Sequence, residues 1–243
     1  MFTVDYSRHY KRFHPDTLQH VQAMTDYVQR ILGPHLPTDR TGALLDVGCG
    51  TGYALLALKQ LGFSAASGVD SDAGQVSEAM KRGVSVVLVA DTQAFLRERA
   101  GRFDTILALD VIEHLPWSQQ IDFVQSICEA LSPTGRLICT VPNASSTLAS
   151  RWRYIDWTHH SSFTEHSLDF LLFNGGFKTV QVLPVEFMVR PANWWLPVMS
   201  GARAWWAFRF FRFIRRLQMM AELGPEQGRA VPLSLNLMGV ASK

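Results

Sequence analysis

Residues 44–52 read LLDVGCGTG: an apolar run broken by a carboxylate, then three glycines at alternate positions. The apolar run suits a buried parallel strand, and the YALLALK that follows can open a helix. A strand, a glycine turn and a helix start confine this part of the chain to an α/β unit whose turn can admit a ligand. Glycine lets the backbone approach a ligand with no Cβ in the way. The first N–H groups of the helix lack intrahelical partners and are offered outward. The spacing then matters. The glycines are Gly48, Gly50 and Gly52, and the third place of a G-x-G-x-x-G dinucleotide fingerprint is held by Tyr53. The pattern is G-x-G-x-G, with Asp46 two residues ahead of it.

The rest of the chain repeats this strand–helix alternation. Strands are expected at 43–47, 65–69, 84–89, 103–110 and 137–141, with helices at 53–61, 73–82 and 118–131 between them. Such alternation argues for a parallel, doubly wound sheet, whose ligands sit beyond the C-terminal ends of the strands. Hydrophobic residues make up 47% of the 243 and charged residues 18%, enough apolar material for a full core in one α/β domain. The formal net charge of +2 gives no general pull toward nucleic acid. Cys49, Cys128 and Cys139 form no C-x-x-C pair and read as small buried residues of a reducing compartment. The first twelve residues carry no apolar run of the signal-peptide kind, so a cytoplasmic location is expected.

Several residues fall where such a sheet would bind its ligand. Asp70 ends the second strand about 20 residues past the glycine turn, where a carboxylate can accept from both hydroxyls of a ribose. Ser71 and Asp72 can cap the next helix. Asp91 and Thr92 end the third strand, where Asp91 can either meet a base or cap a helix. Leu109 and Asp110 end the fourth strand and lead into Glu113 and His114, and Asn143 follows the fifth. The glycine triplet with Asp46, FDTILALDVIEHL at 103–115 and LSPTGRLICTVPN at 131–143 resemble segments of the class I S-adenosylmethionine-dependent methyltransferases. That resemblance implies S-adenosyl-L-methionine as cofactor and a Rossmann-like seven-stranded sheet, its last strand, at 233–241, antiparallel and lying between strands five and six. It also implies a cofactor set of Asp46, Gly48, Cys49, Gly50, Gly52, Asp70, Ser71, Asp91, Thr92, Leu109 and Asp110.

The acceptor side is less patterned. Residues 152–164 are aromatic and polar without period and read as a loop on the active edge. The run from 156 to 177 resembles a segment of bacterial methyltransferases of small molecules and envelope saccharides, which implies a place near the acceptor for Asp156 and His159. A neutral imidazole suits removal of a hydroxyl proton, and His159 and then His114 are the candidate bases. Glu113, Asn143, Trp152 and Asp156 are candidate acceptor contacts, with Tyr6 and Tyr10 as a lid ahead of a helix at 15–32. The spacing of the His and acidic residues supports no metal site.

One domain is therefore expected: a helical cap at 1–40, a cofactor-binding core at 41–186, an aromatic-rich helical insertion at 187–230 and the last strand at 231–243. The insertion carries Trp194, Trp195, Trp205 and Trp206 interleaved with arginines, which suits peripheral contact of 194–220 with the inner membrane, a homodimer interface or a lid on the domain. The acceptor expected from these features is a hydroxyl on a saccharide or lipid-linked envelope intermediate. An isoprenoid quinone precursor, another small metabolite, and a cofactor-binding partner protein without turnover stand as alternatives.

Overall fold

The computed structural model describes residues 15–192, 194–195 and 200–243. Tyr6 and Tyr10 lie outside the described residues. Helix α1 (Leu18–Leu32) starts two residues later than 15–16 suggested, because Thr17 takes the N-cap and its hydroxyl accepts from the N–H of His20. The alternating units follow: β1 (Leu44–Val47), α2 (Tyr53–Gln60), β2 (Ala66–Asp70), α3 (Ala73–Lys81), β3 (Val86–Leu88), α4 (Thr92–Arg97), β4 (Phe103–Leu109), α5 (Trp117–Ala130) and β5 (Leu131–Pro142). The rest is α6 (Ala149–Tyr154), α7 (Glu165–Asn174), β6 (Thr179–Val185), α8 (Ser200–Leu223), α9 (Pro225–Ala230) and β7 (Asn236–Ser242).

The seven strands form one sheet in the order β3-β2-β1-β4-β5-β7-β6. All pairs are parallel except those of β7, which runs antiparallel to both β5 and β6. The order reverses between β1 and β4, so the crevice of this sheet opens there. Strand β5 is longer than 137–141. Leu131 pairs with Phe103, the next residues loop out, and pairing resumes at Arg136 with Thr105. Strand β7 begins at Asn236 and not at 233 because the residues before it are held by Asn143.

Both faces of the sheet are buried, and the period of two is visible in the core. Ile106 and Ala108 of β4, with Leu137, Cys139 and Val141 of β5, face Leu96, Phe123, Ile127, Leu168 and Leu172 of α4, α5 and α7. The alternate residues Leu107 and Ile138 face Val28, Leu32, Leu55, Leu58 and Val76 of α1, α2 and α3. Central strands covered on both sides are apolar almost throughout, which is why 106–109 reads as an unbroken run and 137–141 is interrupted only by Thr140. The three cysteines are buried and unpaired.

Candidate functional site

The glycine turn is built for close approach. Gly48, Gly50 and Gly52 have φ of 67°, 53° and 84°, a region where side chains are strained. A Cβ on Gly48 would also lie 2.6 Å from Cγ2 of Val111. Gly52 is the N-cap of α2 and brings no side chain to its free N–H groups. Asp70 braces the turn from β2: one carboxylate oxygen accepts from the N–H of Gly50 at 2.8 Å, the other from that of Asp72 at 2.8 Å. Each oxygen keeps a second lone pair. Burial pushes the Asp70 carboxyl up, against the pull of those N–H groups. Asp46, fully enclosed beside it, is pushed up to about 8 by burial first and by the charge of Asp70 second.

Around this turn the expected residues sort themselves. Asp72 is the cap of α3, accepting from the N–H groups of Gly74 and Gln75, and Ser71 stands exposed between it and Asp70. Asp91 is the N-cap of α4, accepting from the N–H of Ala94 at 3.0 Å, with Thr92 as the first helical residue. Cys49 is buried behind the turn. Gln75 was not foreseen: its side chain is buried and its Oε1 has no protein partner, close to Gly50. The sequence signal was only a polar residue on the inner face of a short helix.

The second half of the site lies at the ends of β4 and β5. Asp110, which follows Leu109, has φ of 54°, the one non-glycine residue in that region among those described. Its Oδ1 accepts from the Thr140 hydroxyl at 3.0 Å and from Nδ2 of Asn236 at 2.9 Å. Its surface is open to solvent at the edge, yet the surrounding protein still pushes its carboxyl up while Thr140 pulls it down. Asn236 in turn accepts from Nε1 of Trp152 at 3.0 Å, so a polar chain links α6 to the end of β4. Tyr27 of α1 also reaches this edge. Burial and the charge of Asp110 raise its phenol to about 12. Tyr27 was not singled out from the sequence, where it is one aromatic within a helix.

His114 and His159 meet here, their rings 4.6 Å apart and nearly perpendicular. Nδ1 of His159 lies 3.1 Å from the carbonyl of Trp152, and Nδ1 of His114 lies 2.7 Å from Oγ1 of Thr158. Burial lowers His159, and lowers His114 to about 4, so both imidazoles are neutral at pH 7. Asp156 accepts from the N–H and hydroxyl of Thr158 and so shapes the 156–159 turn. Glu113 is completely buried beside the pair, and burial raises its carboxyl well above the usual range. One carboxylate oxygen of Glu113 and one ring nitrogen from each histidine lie within 4.8 Å of one another, a grouping that residue spacing did not reveal. Asn143 is a correction. It is fully buried, its Nδ2 donates to the carbonyls of Pro232 and Ser234, and its Oδ1 accepts from the N–H of Ser145. It ties β5 to the approach of β7 and does not face an acceptor. The loop at 152–164 is likewise part helix, since α6 carries Trp152.

A family model described as a methyltransferase domain matches residues 8–182, well over half of the chain. The chain belongs to the methyltransferase-domain family. Its methyltransferase fold is shared with a SAM-dependent methyltransferase from Archaeoglobus fulgidus, at a TM-score of 0.68 and 19% identity, covering 98% of this chain and 100% of that one. Phosphoethanolamine N-methyltransferase 2 of Haemonchus contortus, solved with S-adenosyl-L-methionine, matches at a TM-score of 0.58 and 16% identity, over 99% of this chain and 60% of that one. Ubiquinone biosynthesis O-methyltransferase of Chelativorans sp. (strain BNC1) is 32% identical over 105 residues, 41% of this chain and 40% of the relative. The enzyme of that name from Methylobacterium nodulans is 30% identical over 139 residues, 54% of this chain and 53% of the relative. The methyltransferase thus spans about half or less of the curated relatives it matches. The solved neighbours include a protein described as SAM-dependent and one holding S-adenosyl-L-methionine. The residues present fit that cofactor: a cradle that any Cβ would strain, an uncapped helix start and the carboxyl groups of Asp46 and Asp70 close together beside the turn.

Proposed function

We propose that the enzyme methylates a hydroxyl oxygen of a saccharide or lipid-linked envelope intermediate. The observation that carries the hydroxyl is the histidine pair at the cofactor edge. The carbonyl of Trp152 can only accept, so Nδ1 of His159 carries the proton and Nε2 holds the lone pair. A neutral imidazole with a fixed tautomer is a base for one hydroxyl proton. Bound S-adenosyl-L-methionine supplies an activated methyl group. The chain's own part is then to orient the acceptor oxygen and receive its proton at Nε2 of His159. Thr158 and Asp156 are positioning residues that hold His114 and the turn. The glycine turn, Asp46, Asp70 and Gln75 would hold the cofactor.

Two surface features support the choice of acceptor. Trp117, Tyr154 and Trp157 stand largely exposed around the 156–162 segment, as flat faces on which a sugar ring can stack. Helix α8 presents Trp206, Phe210, Phe213, Ile214 and Leu217 along one exposed stripe, which suits the surface of a bilayer. The arginines of this segment are a partial correction. Arg212 turns inward to Glu186 at 2.7 and 2.8 Å, and Arg216 donates to the carbonyls of Gly228, Arg229 and Val231. The basic contribution to any lipid contact falls mainly to the exposed Arg209. No helix among the described residues is long and apolar enough to cross a membrane. The same stripe would alternatively be covered by a second copy.

The names of the ubiquinone relatives favour a second reading, a phenolic hydroxyl of a small quinone precursor. Incubation with methyl-labelled S-adenosyl-L-methionine and fractionated extracts tests both. Label in an ether of a saccharide-bearing fraction supports the first reading, and label in a phenolic ether supports the second. Label found only on nitrogen or sulfur removes the hydroxyl altogether.

A further inference from the structure

We infer that Glu113, His114 and His159 form a binding site for a first-row divalent metal ion, of the Zn2+ or Mn2+ kind. The three residues come from two separate segments, the short 3-10 turn Ile112–His114 and the loop before α7. The backbone locks these together: the N–H of His160 donates to the carbonyl of Glu113 at 2.7 Å. One donor atom from each residue lies within 4.8 Å of the others, close enough for a small shift to close them around one ion.

The hydrogen bonds assign the ligand atoms. Thr158 has one hydroxyl proton and gives it to Oδ1 of Asp156 at 2.7 Å. Its Oγ1 must therefore accept, so Nδ1 of His114 is the protonated nitrogen and Nε2 carries the lone pair. The carbonyl of Trp152 fixes the same tautomer on His159. Metal-bound histidines characteristically give their other N–H to a carbonyl or to a carboxylate-linked group, which sets the ring plane and raises its donor strength. Both arrangements are present here, one on each ring.

The independent observation is Glu113. It is completely buried, and neither of its carboxylate oxygens has a hydrogen-bond partner in the protein. A buried carboxyl with no partner is costly and calls for an explanation, of which a bound ion is one. An ion held by two imidazole nitrogens and one carboxylate oxygen would satisfy it. That donor set favours Zn2+ or Mn2+ over Ca2+ and Mg2+, which prefer all-oxygen shells. Three protein ligands leave coordination positions open, where an acceptor oxygen could bind and release its proton to solvent water more readily. In that state the His159 lone pair acts on the ion and no longer on the proton. This last refinement rests on the hydroxyl reading above; the binding itself does not.

Isothermal titration of chelator-treated full-length protein with ZnCl2 and, separately, MnCl2 tests the site. The same samples are titrated with S-adenosyl-L-methionine and melted by circular dichroism. One equivalent of Zn2+ or Mn2+ should bind in the micromolar range or tighter. Glu113→Gln and His159→Ala should each weaken it at least tenfold, and Thr158→Val by about tenfold or more. Mn2+ electron paramagnetic resonance should show the bound signal in wild type and lose it in Glu113→Gln. The inference is overturned if wild type binds neither ion below millimolar while still binding the cofactor. It is equally overturned if the folded variants bind as tightly as wild type. Loss of cofactor binding itself would fault the site reading as a whole, which separates the two failures.

Discussion

Asp46→Asn offers the most direct check on the electrostatics of the cofactor crevice. Asp46 is 2% exposed, next to a second carboxylate, and its native pKa is pushed from 3.8 to about 8. In the unfolded chain the group ionises near 3.8; in the native protein it holds its proton to about 8. The folded state therefore binds more protons across this window, and stability falls as pH rises from about 4 to 8. At pH 7 the gap from the unfolded value is roughly three pH units. At about 1.36 kcal/mol per unit it costs at most ~4 kcal/mol. Relaxation and water entry reduce such penalties, so a net ~1–3 kcal/mol is expected. Asparagine keeps the shape and cannot ionise, so it removes this cost. Guanidinium unfolding of the cofactor-free protein should show the variant more stable than wild type by ~1–3 kcal/mol at pH 7–8, converging toward pH 4. A cationic ligand favours the ionised pair, so the variant should also bind S-adenosyl-L-methionine at least about tenfold more weakly. A stability difference that stays flat with pH, or a variant less stable at every pH, would refute the reasoning. It would mean that Asp46 is ionised and held by partners in the native state.

Gly48→Ala should lose ~2–4 kcal/mol, combining left-handed strain with the contact to Val111, and should abolish measurable cofactor binding by calorimetry. His159→Ala should lower kcat by ~10²–10⁴ with cofactor affinity unchanged; near-normal turnover would remove it from the chemistry. Asn143→Ala should cost ~2–4 kcal/mol in denaturant without cofactor or acceptor present, whereas an acceptor contact would raise KM in a fold of normal stability. Phe210→Ser with Phe213→Ser and Arg209→Glu should leave turnover on a soluble acceptor intact and abolish flotation with anionic vesicles. Wild-type protein that fails to float removes the lipid contact.

The parts of this protein legible in its sequence are those dictated by local rules. A strand buried on both faces is mostly apolar, so 44–47, 103–109 and 137–141 declare themselves despite the few polar residues within them. A backbone at positive φ calls for glycine, so the turn at 48–52 declares its conformation. A cap needs an oxygen, so Asp72, Asp91 and Thr164 mark helix starts. That residues 132–135 loop out of one continuous strand depends on pairing with Phe103 and Thr105 across the sheet.

What stayed hidden is every feature that needs two distant segments to agree. Asn143 looked like an active-edge residue because it follows a strand; only the return of the chain at 232–235 shows that its polar atoms are already used. Arg212 and Arg216 looked like lipid contacts because they alternate with aromatics, until Glu186 and the end of α9 are seen to claim them. The histidine pair shows the same principle running the other way. His114 and His159 are separated by the whole of α5 and β5, and neither position is unusual alone. The link between them is Thr158, whose hydroxyl passes the hold of Asp156 on to the ring of His114 while the next residue presents its own ring. Two neutral imidazoles beside a fully buried glutamate are costly to assemble and contribute little packing, so chemistry at that edge is the better explanation for their meeting there.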